Sequence, residues 1–322
     1  MAVYTEVSDQ DLREYIGRFD IGDLVSAKGI AEGVENSNYL VMTTQSPFIL
    51  TLYEKRVDPD DLPFFLGLME HLAANDVNCP LPIKNKEGKS LGELCGRPAA
   101  IISFLEGVSP KSIMPFHCRE LGEALARFHL AGEDFPMQRE NSLSVAGWVE
   151  LLEACRARGD EVKPGLVALL DNELSFLQEN WPTDLPKGVI HADLFRDNVF
   201  FCERKLTGII DFYFACTDFY AYDLAICLNA WCFERDGSFN ITKAKQMLTG
   251  YNRVRPLSVD EFNALPILAR GSSLRFLLTR LYDWLNHPEG ALVKPKDPKE
   301  YLGYLKFHSH VTSPESYGLS LQ

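Results

Sequence analysis

Three oxygen-bearing side chains near position 200 have the spacing for phosphoryl-transfer chemistry. Residues 189–214 read Val-Ile-His-Ala-Asp-Leu-Phe-Arg-Asp-Asn-Val-Phe-Phe-Cys-Glu-Arg-Lys-Leu-Thr-Gly-Ile-Ile-Asp-Phe-Tyr-Phe. Two apolar runs, 199–202 and 206–210, flank Glu203-Arg204-Lys205, which predicts a β-hairpin with that triplet as its loop. In this pairing Cys202 faces Leu206, Asn198 faces Ile210 and Asp197 faces Asp211; facing Cα atoms of an antiparallel pair lie about 4.5–5.5 Å apart. Asn198 and Asp211 are then diagonal neighbours at the open end. Their oxygens can meet there on one magnesium ion, with bonds of about 2.0–2.1 Å. Asp193 lies five residues before Asn198 in an irregular stretch that can curl back to the same rim. Transfer of a phosphoryl group to a hydroxyl uses such a set. The metal neutralises phosphate charge, and the remaining carboxylate orients the hydroxyl and accepts its proton.

The elements that position this set follow from periodicity. Ser8 and Asp11 resemble a capping box, and Leu12, Tyr15, Ile16 and Phe19 predict a helix over about 9–19. Strands are expected at Tyr39–Met42 and Phe48–Tyr53, and an amphipathic helix through Leu62, Phe65, Leu68, Met69 and Leu72. Asn85-Lys-Glu-Gly88 reads as a turn before two more strands that end at Leu105. This is a small antiparallel sheet carrying one main helix. Glu106-Gly107 breaks the pattern, so the chain is divided into residues 1–105 and 106–322. The second part reads as helices near 121–129, 148–155, 164–180, 222–234, 240–252, 259–286 and 298–307, interrupted by the strand-rich segment near 189–211.

Composition narrows the function. Of 322 residues, 32 are Lys or Arg and 45 are Asp or Glu, a formal charge of −13. Such a chain repels phosphate backbones, so no nucleic-acid partner is expected. The longest apolar stretch, Pro98–Leu105, is about eight residues, too short to span a bilayer, and no membrane partner is expected. The opening residues lack the basic start and apolar block of an export signal. The eight cysteines form neither C-x-x-C nor zinc-finger spacing, so reduced thiols in the cytoplasm are the expected state.

His191-Ala-Asp-Leu-Phe-Arg-Asp-Asn198 matches an H-x-D-x-x-x-x-N loop, and Ile209-Ile-Asp-Phe212 matches a metal-binding strand end. Both resemble the aminoglycoside phosphotransferase and choline kinase branch of the protein-kinase-like superfamily. Tyr222-Asp-Leu-Ala225 and Leu125-Ala-Arg-Phe-His129 also resemble that branch. Longer strings, among them GVENSNYLV, HADLFRDNVFF and ALVKPKDP, are similar to its bacterial homoserine kinases over nearly the whole chain. The resemblance implies an α+β, protein-kinase-like two-lobe fold: a small antiparallel-sheet N-terminal lobe that binds nucleotide, and a larger, mostly helical C-terminal lobe for catalysis and acceptor. It implies ATP and Mg2+ as cofactors and L-homoserine as the small-molecule substrate, phosphorylated on its side-chain hydroxyl. Asp193 is then the base, Asn198 and Asp211 hold metal, and His191 braces the loop. Gly33, Asn36 and Ser37 are expected over the phosphates, with Ser103 and Leu105 at adenine. The same chemistry on an amino sugar, choline, methylthioribose or an aminoglycoside is the nearest rival. A catalytically silent nucleotide-binding module is the rival from another class.

Two features depart from that pattern. Thr51 stands where a third-strand Lys or Arg is expected to clamp phosphates, leaving Lys55 and Arg56 as substitutes and Glu70 as a helix partner. The Gly29–Asn38 loop holds two glycines rather than three. On the acceptor side, homoserine needs a cation for its carboxylate. At 100° per residue, Arg270 and Arg275 flank the apolar stripe of the helix at 259–286, and Arg280 points away. Tyr213 and Asn229 are expected to line the acceptor pocket, beside Trp231.

Overall fold

The structure is a computed structural model that describes residues 5–30, 36–54, 57–287 and 294–320. The chain divides into two compact units. The first comprises Met1–Gly107, Phe135–Met137 and Thr207–Tyr213, and the second the remainder. The two short later segments of the first unit lie beyond the single cut expected after residue 105.

The first unit contains α1 (Asp9–Ile16), β1 (Leu24–Gly29), β2 (Ser37–Thr43), β3 (Pro47–Leu52), α2 (Leu62–Ala74), β4 (Gly92–Leu94) and β5 (Arg97–Ser103). The strands form one antiparallel sheet in the order β1-β2-β3-β5-β4. Ser8 Oγ accepts from the Asp11 amide at 3.2 Å and donates to the Asp11 carboxylate at 2.6 Å, so α1 starts as its sequence dictates. It ends at Ile16, short of the expected Phe19, with the Gly17 amide bonded to the Arg13 carbonyl. Leu12, Tyr15 and Ile16 join Val41, Phe48, Leu50 and Ile101 in one core. Strand β1 has no counterpart in the sequence pattern, because only Leu24 of its six residues is buried. Helix α2 buries Phe64 and Phe65, whose rings meet Phe135 at 5.5 Å and Tyr213 at 5.6 Å.

The second unit is mostly helical: α3 (Pro115–Ala131), α4 (Val145–Cys155), α5 (Gly159–Val162), α6 (Leu166–Asn180), α7 (Tyr220–Trp231), α8 (Ile241–Val254), α9 (Val259–Leu285) and α10 (Pro298–His308). Strands β6 (Lys187–Ile190) and β9 (Cys216–Phe219) pair antiparallel. Strands β7 (Val199–Cys202) and β8 (Lys205–Ile209) form a two-stranded ribbon. Its turn is Glu203-Arg204 alone. Glu203 takes φ 55° and Lys205 already belongs to β8, so the expected three-residue loop gives way to a tight turn. Helices α3 and α8 touch backbone to backbone. A Cβ at Gly122 would lie 2.2 Å from the Met247 carbonyl oxygen, and one at Gly250 2.4 Å from that of Arg119, so glycine is required at both.

His129, His191 and His308 are sealed into this unit. His308 Nε2 lies 2.7 Å from Asn229 Oδ1 and its Nδ1 2.8 Å from the Tyr317 hydroxyl; burial pulls its pKa down to about 3. Burial also lowers that of His129. The unfolded chain therefore binds protons that the folded chain refuses, and stability is fully present above the unfolded value of about 6.5 and falls as pH drops below it. For His308 the expected slope is about 1.4 kcal/mol per pH unit between the unfolded value and about 3, and His129 adds in the same direction. Urea unfolding at pH 7, 6 and 5 checks this. The free energy should drop stepwise, less steeply in His308→Gln, and a flat profile contradicts it.

Candidate active site

Strands β6 and β9, with Ile190 opposite Cys216, deliver the chain into the loop 191–198. Many backbone groups of this loop are held by partners. The amides of His191 and Ala192 donate to the two oxygens of Asp223 at 2.8 and 2.9 Å. Ala192 takes φ 63°, a left-handed conformation that disfavours a side chain. Its carbonyl accepts from Arg275 Nη1 at 2.7 Å, so this strained residue is held on both sides. The Leu194 carbonyl accepts from Trp231 Nε1 at 2.7 Å. The Asp193 carbonyl accepts from the Phe195 amide and from Asn198 Nδ2, both at 2.8 Å. Asn198 Nδ2 also lies 3.2 Å from the Asp193 carboxylate. Asp193 and Asn198, expected to converge, are thus in direct contact.

Asp223 is the anchor of the loop. It sits fully buried on α7, and its Oδ2 also lies 3.1 Å from His129 Nε2. Burial alone would raise its pKa. The bonds from His129 and the His191 backbone, with the adjacent imidazoles, hold it below the usual carboxylate value. Neutral His129 donates through Nε2 and accepts the Tyr251 hydroxyl on Nδ1 at 2.7 Å. Tyr251 accepts from Arg255, which is paired with Glu261 at 2.8 Å. Glu261 caps α9 by accepting from the Ser258 amide at 3.0 Å. One polar chain therefore links the start of α9, through α8 and α3, to α7 and the loop. Sequence reading missed this role of Asp223. The available signal was a carboxylate in an otherwise apolar helix, which must find donors once buried. His191 is itself fully buried, consistent with a bracing position.

The donor atoms fit a hard cation. With its nitrogen engaged by Asp193, Asn198 has Oδ1 left, and among the described residues nothing donates to it. Amide and carboxylate oxygens suit Mg2+ or Ca2+ rather than a thiophilic metal. Among the described residues no group of three or more His, Cys, Asp or Glu forms a metal cage. Asp211 belongs to the first unit and takes φ 67° just beyond β8. In the same unit Tyr213 donates to the Tyr53 hydroxyl at 3.4 Å; burial, with Tyr53 and Asp211 beside it, keeps its phenol neutral.

Several other expected site residues have different duties. Gly33, Lys55 and Arg56 lie outside the described residues. Ser37 is buried and donates to Glu54 at 2.7 Å, which withdraws it from the phosphate-binding set. Asn36 accepts from the Glu54 amide at 3.3 Å, leaving only its amide nitrogen for a ligand. The Ser103 backbone amide donates to the Leu81 carbonyl and its hydroxyl accepts from the Leu81 amide, both at 2.9 Å. The backbone of Leu105 bonds to nothing among the described residues. Thr51 donates to Asn38 Oδ1 at 2.8 Å, and Glu70 is paired with Lys84 at 2.9 Å. On the acceptor side, Arg270 is bound to Glu173 at 2.7 Å and stacks 3.9 Å over Phe176. Arg275 is fixed on the loop. Asn229 joins His308 to the Ala269 carbonyl, 2.9 Å from its Nδ2. Arg270 and Asn229 are corrected from substrate contacts to structural ones, because Glu173, His308 and the Ala269 carbonyl hold them; Arg275 is tied to the loop through Nη1, while its buried Nε has no hydrogen-bond partner among the described residues.

Comparison with known proteins places this geometry in a family. The model of the phosphotransferase enzyme family matches residues 26–257. The homoserine kinase of Rhodospirillum rubrum is 63% identical over 320 residues, covering 99% of this chain and 100% of the relative. That of Paramagnetospirillum magneticum is 61% identical over 325 residues, with 99% and 100% covered. Among solved structures, an amicoumacin kinase in complex with AMP-PNP and Ca2+ superposes with a TM-score of 0.68 at 13% identity, covering 94% of this chain and 92% of that one. A spectinomycin phosphotransferase in complex with ADP gives 0.67 at 15% identity, covering 97% and 98%. The small antiparallel sheet and helical remainder are therefore the α+β fold of these kinases, and the chain belongs to the phosphotransferase enzyme family.

Proposed function

We propose that this chain transfers the γ-phosphoryl group of ATP to the side-chain hydroxyl of L-homoserine. The observation that carries the reading is 61–63% identity, over 99% of the chain, to homoserine kinases that it spans end to end. The loop chemistry supports it. Asp193 orients the acceptor hydroxyl and takes its proton, and the Asn198 amide steadies that carboxylate. Asn198 Oδ1 and Asp211 hold Mg2+, which when bound neutralises phosphate charge. Gly33 and the Asn36 amide nitrogen attend the phosphates, the free backbone groups of Leu105 meet adenine, and Tyr213 borders the acceptor. The reaction is placed in the cytoplasm, in keeping with eight unpaired cysteines.

An acceptor panel tests this. With ATP and Mg2+ in excess, ADP release is measured for L-homoserine, L-serine, choline and kanamycin. Homoserine should exceed serine by about 10–200-fold in kcat/KM, the discrimination one methylene supplies, and exceed the others by more. Equal or faster turnover of choline or kanamycin contradicts the assignment.

A further inference from the structure

Arg270 is paired with Glu173, and Arg275 is buried with Nη1 held by the loop, whereas the segment leading into α10 holds an exposed cation beside the catalytic loop. Lys296 is exposed, and its Nζ lies 5.1 Å from the ring centroid of Phe195, two residues beyond Asp193. Among the described residues it has no carboxylate partner. Phe195 meets Phe276 edge to face at 5.0 Å, and Phe276 meets Tyr301 at 5.2 Å. Tyr301 is 1% exposed, yet its hydroxyl bonds to nothing among the described residues. A buried hydroxyl without a partner is destabilising, and it marks a place where an acceptor atom is expected to arrive. Burial pushes this phenol well up; Arg280 opposes that, and Tyr304, Glu300 and Asp193 add to it, which puts the Tyr301 ring within electrostatic reach of the proposed base. Arg280 lies 4.4 Å over the same ring but is ion-paired with Glu300, so it does not supply the free charge.

We propose that Lys296 and Tyr301 form the carboxylate subsite of the acceptor pocket. They receive the carboxylate of an α-amino acid along the Phe195–Phe276 wall while its hydroxyl meets Asp193. The ammonium supplies charge, the phenol a directed donor, and the aromatic wall covers the methylenes. The subsite rests on the homoserine reading and names what distinguishes an amino acid from a simple amino alcohol.

The test compares wild type, Lys296→Met and Tyr301→Phe on L-homoserine and on 3-aminopropan-1-ol, which lacks the carboxylate, with KM for ATP and Tm measured alongside. Lys296→Met should raise KM for homoserine about 10–100-fold and leave KM for ATP within twofold. The preference for homoserine over the amino alcohol should collapse by the same factor. Tyr301→Phe should lower kcat/KM for homoserine about tenfold without lowering Tm, since no existing bond is removed. An unchanged homoserine KM in Lys296→Met, or a rise matched by the amino alcohol or by ATP, overturns the subsite while leaving the kinase reading intact. A wild-type enzyme that phosphorylates other acceptors but not homoserine removes the homoserine reading and the subsite together.

Discussion

Asp193→Asn is expected to lower kcat by about 10²–10⁴-fold, the range a positioned general base contributes. The substitution preserves shape. An amide oxygen can still accept from Asn198 Nδ2, now 3.2 Å from the carboxylate, and the Asp193 backbone carbonyl keeps both of its bonds. The loop should therefore stay in place, with Tm within about 2 °C of wild type and KM for ATP little changed. What disappears is the capacity to take a proton from the acceptor. Steady-state kinetics beside a thermal melt separate the two effects. A rate near wild type would remove Asp193 from the base role, and a large fall in Tm would show the loop depends on its charge.

The second large effect is expected at Asp223→Ala. Removal of this carboxylate leaves the His191 and Ala192 amides and His129 Nε2 without their acceptor in a fully buried place. Each of the three orphaned donors costs about 1–3 kcal/mol, so a loss of about 3–9 kcal/mol, on the order of 10 °C in Tm, is expected. Catalysis should fall further than stability alone explains. With one of its two restraints gone, Ala192 is free to leave φ 63°, and Asp193 is the next residue. At a temperature where the variant is folded, kcat should drop about 100-fold with KM for ATP preserved. Asp223→Asn, which retains one acceptor oxygen, should fall between. A variant with wild-type Tm and kcat would show that the loop is held by other bonds.

These residues also show what sequence can reveal. The contact between Asp193 and Asn198 spans five positions, and short separations in an irregular loop are legible from residue type and spacing. Helix periodicity likewise locates α2, α3 and α9, whose buried faces repeat every three to four residues. It could place Arg270 and Arg275 beside the apolar stripe but could not see their partners. Glu173 lies 97 positions from Arg270 and Ala192 83 positions from Arg275. Asn229 escaped for the same reason, since its partners come from other elements. Strand β1 stayed invisible because most of it faces outward, so no alternation is imposed on its residues. The ribbon turn was read one residue too long because Lys205, a polar residue, opens a strand whose early positions are exposed.

The most direct measurement is phosphorus-31 NMR of the product formed from ATP, Mg2+ and L-homoserine by the wild-type enzyme and by Asp193→Asn. The account predicts a new phosphomonoester resonance coupled to the two protons of the terminal methylene, growing with ADP in the wild type and nearly absent in the variant. Release of inorganic phosphate alone, phosphorylation at another position, or the same ester formed at the same rate by Asp193→Asn would contradict it.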